Sequence, residues 1–147
     1  MSLTPRVYRT TLIAEPGDID ALGHVNNVVY LRWVQEVAGA HWFAAAPPEA
    51  QQALAWVVTR HEIDYQAPAL LGDRITVRTW VEAWSGVTSD RHVEFHNAET
   101  GQLLAQARTV WCAIDPATGR PKRFDQALVS AFQTESGGAA GTIASES

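Results

Sequence analysis

The 147-residue chain contains a single cysteine, Cys112, so no disulfide can close within it. Its His, Cys, Asp and Glu residues show no metal-ligand spacing, and no metal is expected. No apolar run approaches the roughly 18 residues that a membrane-spanning helix needs, and no membrane partner is expected. The opening residues Met1-Ser2-Leu3-Thr4-Pro5-Arg6 lack the apolar core and cleavage site of a secretory leader, which leads to an expected cytoplasmic location. Basic residues are also few. Eleven Lys+Arg against 16 Asp+Glu give a formal net charge of -5, which argues against nucleic acid as the partner. No repeat or linker divides the chain, so one domain is expected over 1–134, with a disordered Gly-, Ala- and Ser-rich tail over 135–147.

What is present suits a packed core: 46% of residues are hydrophobic and only 18% are charged. Residues 6–14 alternate as a strand, and Glu15-Pro16-Gly17-Asp18 breaks it. Over 27–46 the apolar residues Tyr30, Leu31, Val34, Val37, Ala38 and Trp42 recur at helical spacing, until Pro47-Pro48 stops the run. A helical turn is expected over 49–54. Strands are expected over 55–65, 74–83, 88–97 and 103–114, mostly joined by hairpin-sized turns, and a short helix over 124–132. In the 88–97 strand Arg91, Val93 and Phe95 oppose His92, Glu94 and His96. One long buried helix against an antiparallel sheet is an α+β architecture. A chain of this size builds only two layers, so the outer sheet face must meet solvent or another subunit, and oligomerisation is expected.

Chemistry concentrates between the first strand and the long helix, in Asp18-Ile19-Asp20-Ala21-Leu22-Gly23-His24-Val25-Asn26-Asn27. A helix start offers unpaired N–H groups and partial positive charge, and a carboxylate beside it can act as base or nucleophile. Asp20 and Asp18 are both candidates, and Asp is also common as a turn former. Gly23 permits a tight backbone path. Asn26 and Asn27 are good helix caps, so their side chains have a structural reading as well as a functional one.

This segment, with Tyr30 beyond it, resembles the signature of hotdog-fold acyl-CoA thioesterases of the 4-hydroxybenzoyl-CoA thioesterase type, and is similar to the matching stretch of plant acyl-ACP thioesterases. The resemblance continues at Arg60-His61-Glu62-Ile63-Asp64-Tyr65, Pro68 and Gly72-Asp73, and at Asp115-Pro116-Ala117-Thr118-Gly119-Arg120-Pro121, and spans roughly 6–130. It implies a long central helix wrapped by a strongly curved antiparallel sheet. It further implies hydrolysis of an acyl-CoA to a carboxylic acid and CoA, with the thioester as substrate and no cofactor. Asp20 matches the catalytic carboxylate, acting as nucleophile or general base, and the backbone N–H of Asn27 matches the donor to the thioester oxygen. His24 matches a histidine of the acyl-ACP site, whereas their additional asparagine falls at Leu22 here. Sites of the family form across a dimer interface, so a homodimer or a homotetramer is implied.

Gly23 and Asn26 are taken as substrate-side residues, His61 as a possible lining residue, and Arg91, Arg120 and Arg123, with Lys122, as candidates for the CoA phosphates. Such basic residues also occur on any surface. Glu36 is a rival acid on the helix, and Trp56, Trp80 or Trp84 are candidates for an acyl or aryl pocket. Cys112, among apolar strand residues, reads as core. The competing function is a non-catalytic acyl-CoA or acyl-carrier binding protein on the same fold, or an acyl-ACP thioesterase.

Overall fold

The computed structural model describes residues 3–135 and 142–144, the last three as backbone only. In order, the elements are β1 (Leu3–Pro5), β2 (Val7–Ile13), a 3₁₀ turn (Pro16–Asp18), α1 (Asn27–Ala45), α2 (Pro48–Ala53), β3 (Ala55–Tyr65), β4 (Arg74–Ser85), β5 (Thr88–Asn97), β6 (Leu103–Ile114), α3 (Gln126–Ala131), β7 (Gln133–Glu135) and β8 (Thr142–Ala144). Six strands form one sheet in the order β3-β6-β5-β4-β2-β8. Every pair is antiparallel except β2 with β8.

Local chemistry accounts for the helix. Asn26 sits in an extended conformation, and its Oδ1 accepts the N–H of Val28 at 3.2 Å, which caps the first turn. Val29, Tyr30, Trp33, Val34, Val37, Ala38 and His41 then bury one face. At the far end Pro47 and Pro48 prevent continuation. The buried face of α1 meets the inward residues of the sheet, among them Tyr8, Ile75, Val77, Val93, Phe95 and Leu104. Phe95 is fully buried and meets Tyr30 edge-on at 5.2 Å. Burying one such ring contributes about 1.5–3 kcal/mol. Register shifts at Val58/Arg60, Val81/Ala83 and Phe95/His96 interrupt the ladders. Bulges of this kind add local twist, which helps the sheet bend around the helix.

Two differences from the sequence expectation concern connection. β4, β5 and β6 form the expected meander, but β3 pairs with β6, so 66–73 is a crossover rather than a hairpin turn. Local turn residues cannot specify that distant pairing. β7 pairs with β1, and β8 pairs with β2; of the expected tail over 135–147, Glu135 and 142–144 are among the described residues. Residues 136–141 and 145–147 lie outside the described residues.

A third difference is Arg91. It was expected to meet phosphates at the surface, yet it is 6% exposed. The period-2 alternation of β5 puts Arg91 on the same face as Val93 and Phe95, and that face is the core. Its Nη1 donates to His41 Nδ1 at 2.8 Å and to Thr79 Oγ1 at 3.0 Å. A guanidinium has no acceptor, so His41 must be neutral with its proton on Nε2. The ring of His41 stacks on Tyr8 at 5.2 Å. Burial, reinforced by the charges of Arg91 and Arg6, pushes its pKa from 6.5 down to about 2.

This arrangement fixes a sign for the pH dependence of stability. An unfolded His41 protonates below 6.5 while the folded one does not, so the unfolded state binds more protons and stability falls with acid. Between pH 7 and pH 5 the loss from this group is about 2 kcal/mol. Denaturant unfolding across that range should show His41→Gln, which keeps an acceptor for Arg91, losing stability less steeply than the parent chain. Equal slopes would contradict the neutral buried imidazole.

Candidate active site

The loop before α1 is built on two carboxylates with different duties. Asp18 is buried, at 6% exposure. Its Oδ2 accepts the N–H of Glu15 at 3.0 Å and its Oδ1 accepts from Arg32 Nη2 at 2.8 Å. Its backbone C=O accepts the N–H of Asn26 at 2.8 Å. One residue thereby joins the 3₁₀ turn, the end of the loop and the second turn of α1. Burial alone would raise its pKa, but the hydrogen bonds from Arg32 and Glu15 and the Arg32 charge outweigh it and hold the carboxyl below its ordinary value.

Asp20 closes the loop itself. Its N–H donates to the C=O of His24 at 2.8 Å, and its C=O accepts the N–H of Gly23 at 3.0 Å. Its Oδ1 accepts two more N–H groups, from Leu22 at 2.9 Å and His24 at 3.1 Å. Gly23 has φ +81, in the left-handed region that favours glycine, which lets the backbone turn back toward Asp20. Among the described residues Asp20 Oδ2 has no hydrogen-bond partner. The carboxylate is therefore oriented through one oxygen and available through the other.

The loop docks on the crossover. Val25 donates its N–H to the C=O of Ala69 at 2.8 Å, and His24 bridges to Leu70. Together they enclose a cavity of about 430 Å³ lined by residues that include Asp20, His24, Asn26, Asn27, Tyr30 and Tyr65. The hydroxyl of Tyr65 donates to the C=O of Asn27 at 3.0 Å. The N–H of Val28 is used by Asn26 Oδ1 and that of Val29 by Asn26 C=O, whereas the N–H of Asn27 has no partner among the described residues. Asp20, with a carboxylate oxygen free of partners among the described residues, and Asn27, with its unpaired helix-start N–H, thus border one cavity. Tyr30 is buried beneath it, and burial pushes its pKa up to about 12, so it enters as a neutral phenol.

The other sequence candidates are placed as follows. His24 and Asn26 border the cavity; Asn26 serves α1 as its cap, and it is the N–H of His24 that meets Asp20. His61 lies in the middle of β3, where Nδ1 meets Thr109 Oγ1 at 3.2 Å, and does not border this cavity. Arg91 lies in the core. Arg120 and Arg123 are exposed beyond β6, away from the loop, and Arg123 with Lys122 borders a smaller hollow between α2 and α3. Glu36 is exposed on α1 and pairs with Arg32 at 3.3 Å. Trp80 stacks on His92 at 5.7 Å, whereas Trp56 and Trp84 line a separate, larger cavity. Half-buried Cys112 sits within β6. Tyr65 was not singled out from the sequence, and its role rests on a contact with Asn27 that no local pattern signals. Among the described residues no cluster of three or more His, Cys, Asp or Glu side chains is placed to hold a metal ion, and no helix is long and apolar enough to cross a membrane.

Residues 14–132 match the sequence profile of the Thioesterase-like superfamily. The chain belongs to this family. It is 27% identical over 120 residues to the Acyl-CoA thioester hydrolase YbgC of Escherichia coli O157:H7, covering 79% of this chain and 88% of that one. It is 35% identical over 84 residues to a chloroplastic palmitoyl-acyl carrier protein thioesterase of Gossypium hirsutum, covering 57% of this chain but only 20% of the length of that relative. Among solved structures, a 1,4-dihydroxy-2-naphthoyl-CoA thioesterase from Synechocystis superposes with a TM-score of 0.74 at 22% identity, covering 86% of this chain and 95% of the other. The fold is the hotdog fold, α+β, and family and fold are those of thioester hydrolases.

The two acids of the loop make separable predictions. Asp18→Asn leaves an oxygen for one donor but sets an amide N–H against the other, Arg32 or Glu15, and should cost about 1–3 kcal/mol in denaturant unfolding. Hydrogen exchange at the N–H groups of residues 20–26 should accelerate in the same variant. Unchanged exchange there would remove Asp18 as the anchor of the loop.

Proposed function

We propose that the chain is an acyl-CoA thioesterase of the 4-hydroxybenzoyl-CoA thioesterase type, with its chemistry at Asp20. The observation that carries this reading is the pairing of Asp20, held through Oδ1, with the unpartnered N–H of Asn27 at the border of one cavity. A thioester carbonyl placed between them would direct its oxygen to the Asn27 N–H and the positive end of α1. Asp20 Oδ2 then attacks the carbonyl carbon and expels CoA thiolate, leaving a mixed anhydride that water opens. Alternatively it takes a proton from the water that attacks. Either route consumes one water and one thioester and yields a carboxylate and CoA. His24, on the cavity wall, orients the acyl thioester in this reading.

The site is proposed to be shared between subunits. β3 is the outer strand of the sheet, paired only with β6 among the described residues, and carries Val57 and Tyr65 exposed at 43% and 44%. Leu22 and Val28, exposed at 80% and 62%, add apolar side chains at the Asp20 loop and the start of α1. An uncovered edge of this length invites a second strand. Two-fold pairing of β3 edges would bring the loop after the partner's β6, with its basic side chains Arg120 and Arg123, toward the cavity for the CoA phosphates. A homodimer, or a pair of dimers, is accordingly part of the proposal, as is a cytoplasmic site of action.

Asp20→Asn is the decisive variant, because the amide Oδ1 still accepts from Leu22 and His24. We expect normal thermal unfolding and a fall of about 10²–10⁴-fold in thiol release from acyl-CoA. Retained hydrolysis would refute the role of Asp20. Tight binding of short-chain, long-chain and aryl-CoA without thiol release by the parent chain would instead establish a binding protein, and release from only the carrier-protein form of one acyl group would establish an acyl-ACP thioesterase. Light scattering should give the mass of two or four chains; a fully active monomer would refute the shared site.

A further inference from the structure

A cavity larger than the one at Asp20 lies elsewhere in the described structure. It measures about 550 Å³ and lies between the C-terminal half of α1, α2 and the far ends of β3 to β6. Its wall is aromatic. Trp42 meets Trp56 edge-on at 5.6 Å, Trp56 meets Trp84 at 6.4 Å, and Trp84 meets Phe132 at 5.6 Å. Among the described residues no acidic side chain borders it, and the one charged lining residue is Arg91.

Arg91 is an unusual group to leave there. Its only hydrogen-bond partners among the described residues are the neutral His41 and Thr79, both reached through Nη1, and it forms no ion pair among them. Burial lowers its pKa to about 9, which still leaves it charged at neutral pH. A buried cation without an anion is costly, and a bound carboxylate matching the guanidinium fork would offset that cost. The cavity thus combines an apolar, indole-rich body with one positive charge, whose Nε and Nη2 have no partner among the described residues. Its size falls within the roughly 300–1,000 Å³ range of small-molecule sites.

We propose that this cavity binds an apolar monocarboxylate, aliphatic or aryl, with the carboxylate on Arg91 and the apolar body among the tryptophans. Within one chain the site shares no lining residue with the Asp20 cavity, and it needs no reaction there.

The test compares octanoate with 1-octanol by calorimetry on the full chain at neutral pH. The two probes share an apolar body and differ in charge. Octanoate should bind at least about tenfold more tightly than 1-octanol, with a change in tryptophan fluorescence. Arg91→Met, which fills the position with an apolar chain, should abolish that preference, and Asp20→Asn should retain it. Gly39→Leu supplies a second test independent of Arg91. Gly39 lines the cavity and a Cβ there meets nothing within 4 Å, so the larger side chain should weaken both probes while the chain stays folded. Equal affinity for the two probes, or a preference that survives Arg91→Met, overturns the proposal. So does binding indifferent to Gly39→Leu. Because every readout is binding, none of these results bears on thioester hydrolysis.

Discussion

The geometry of the candidate site depends on one ion pair, the buried carboxylate of Asp18 with the half-exposed Arg32. The loop over 19–26 packs Ile19 and Val25 against the core near its two ends and leaves Leu22 and Gly23 exposed at its tip. Its shape is set by where its ends are fastened. Asp18 fastens one end to α1 through Arg32 and to the preceding turn through Glu15, and the C=O of Asp18 holds the N–H of Asn26 at the other end. Only within that closed frame do the Leu22 and His24 amides converge on Asp20. Arg32 is about half exposed, at 52%, but the buried carboxylate it serves makes this more than an ordinary surface pair.

A second constraint runs along β5. From Asn97 back toward Thr88, its inward residues change from Phe95 and Val93 to Arg91 and Ser89. The sheet face therefore passes from a close-packed apolar end beneath Tyr30 to a hollow, aromatic-walled end beneath Trp42 that carries the one charge of Arg91. Rigidity and capacity are divided between the two halves of α1. The half that presents Asn27 rests on packed aromatic rings, which suits a group that must hold its position, and the other half rests over open volume.

Most of the secondary structure was legible because it is local. The alternation over 55–65, 88–97 and 103–114 matches β3, β5 and β6, and the helical spacing and proline stop locate α1 to within one residue. The Asp18–Asn27 segment stood out as the candidate site through residue type and position before a helix, and the structure places Asp20 and Asn27 at one cavity. What escaped was nonlocal. The β3–β6 pairing and the Tyr65–Asn27 contact join residues far apart in sequence. The division of labour between Asp18 and Asp20 could be suspected from the chain, but Arg32, fourteen positions beyond Asp18, gives its physical reason. Arg91 is the instructive miss. Its alternation with Val93 and Phe95 was visible, and the preference of charge for water was allowed to override a periodicity that pointed inward.

The way Asp20 is tethered bears on how such a protein can change over evolutionary time. The backbone amides that hold it recognise an oxygen and are indifferent to its charge, so an amide side chain would satisfy them as well as a carboxylate. A single nucleotide change from aspartate to asparagine would then silence the loop while the fold persists, along with every other surface and cavity of the molecule. Such a lineage would keep a stable scaffold freed from its reaction, open to selection as a carrier or a sensor. Loss of Asp18 offers no comparable route, because it dismantles the frame itself.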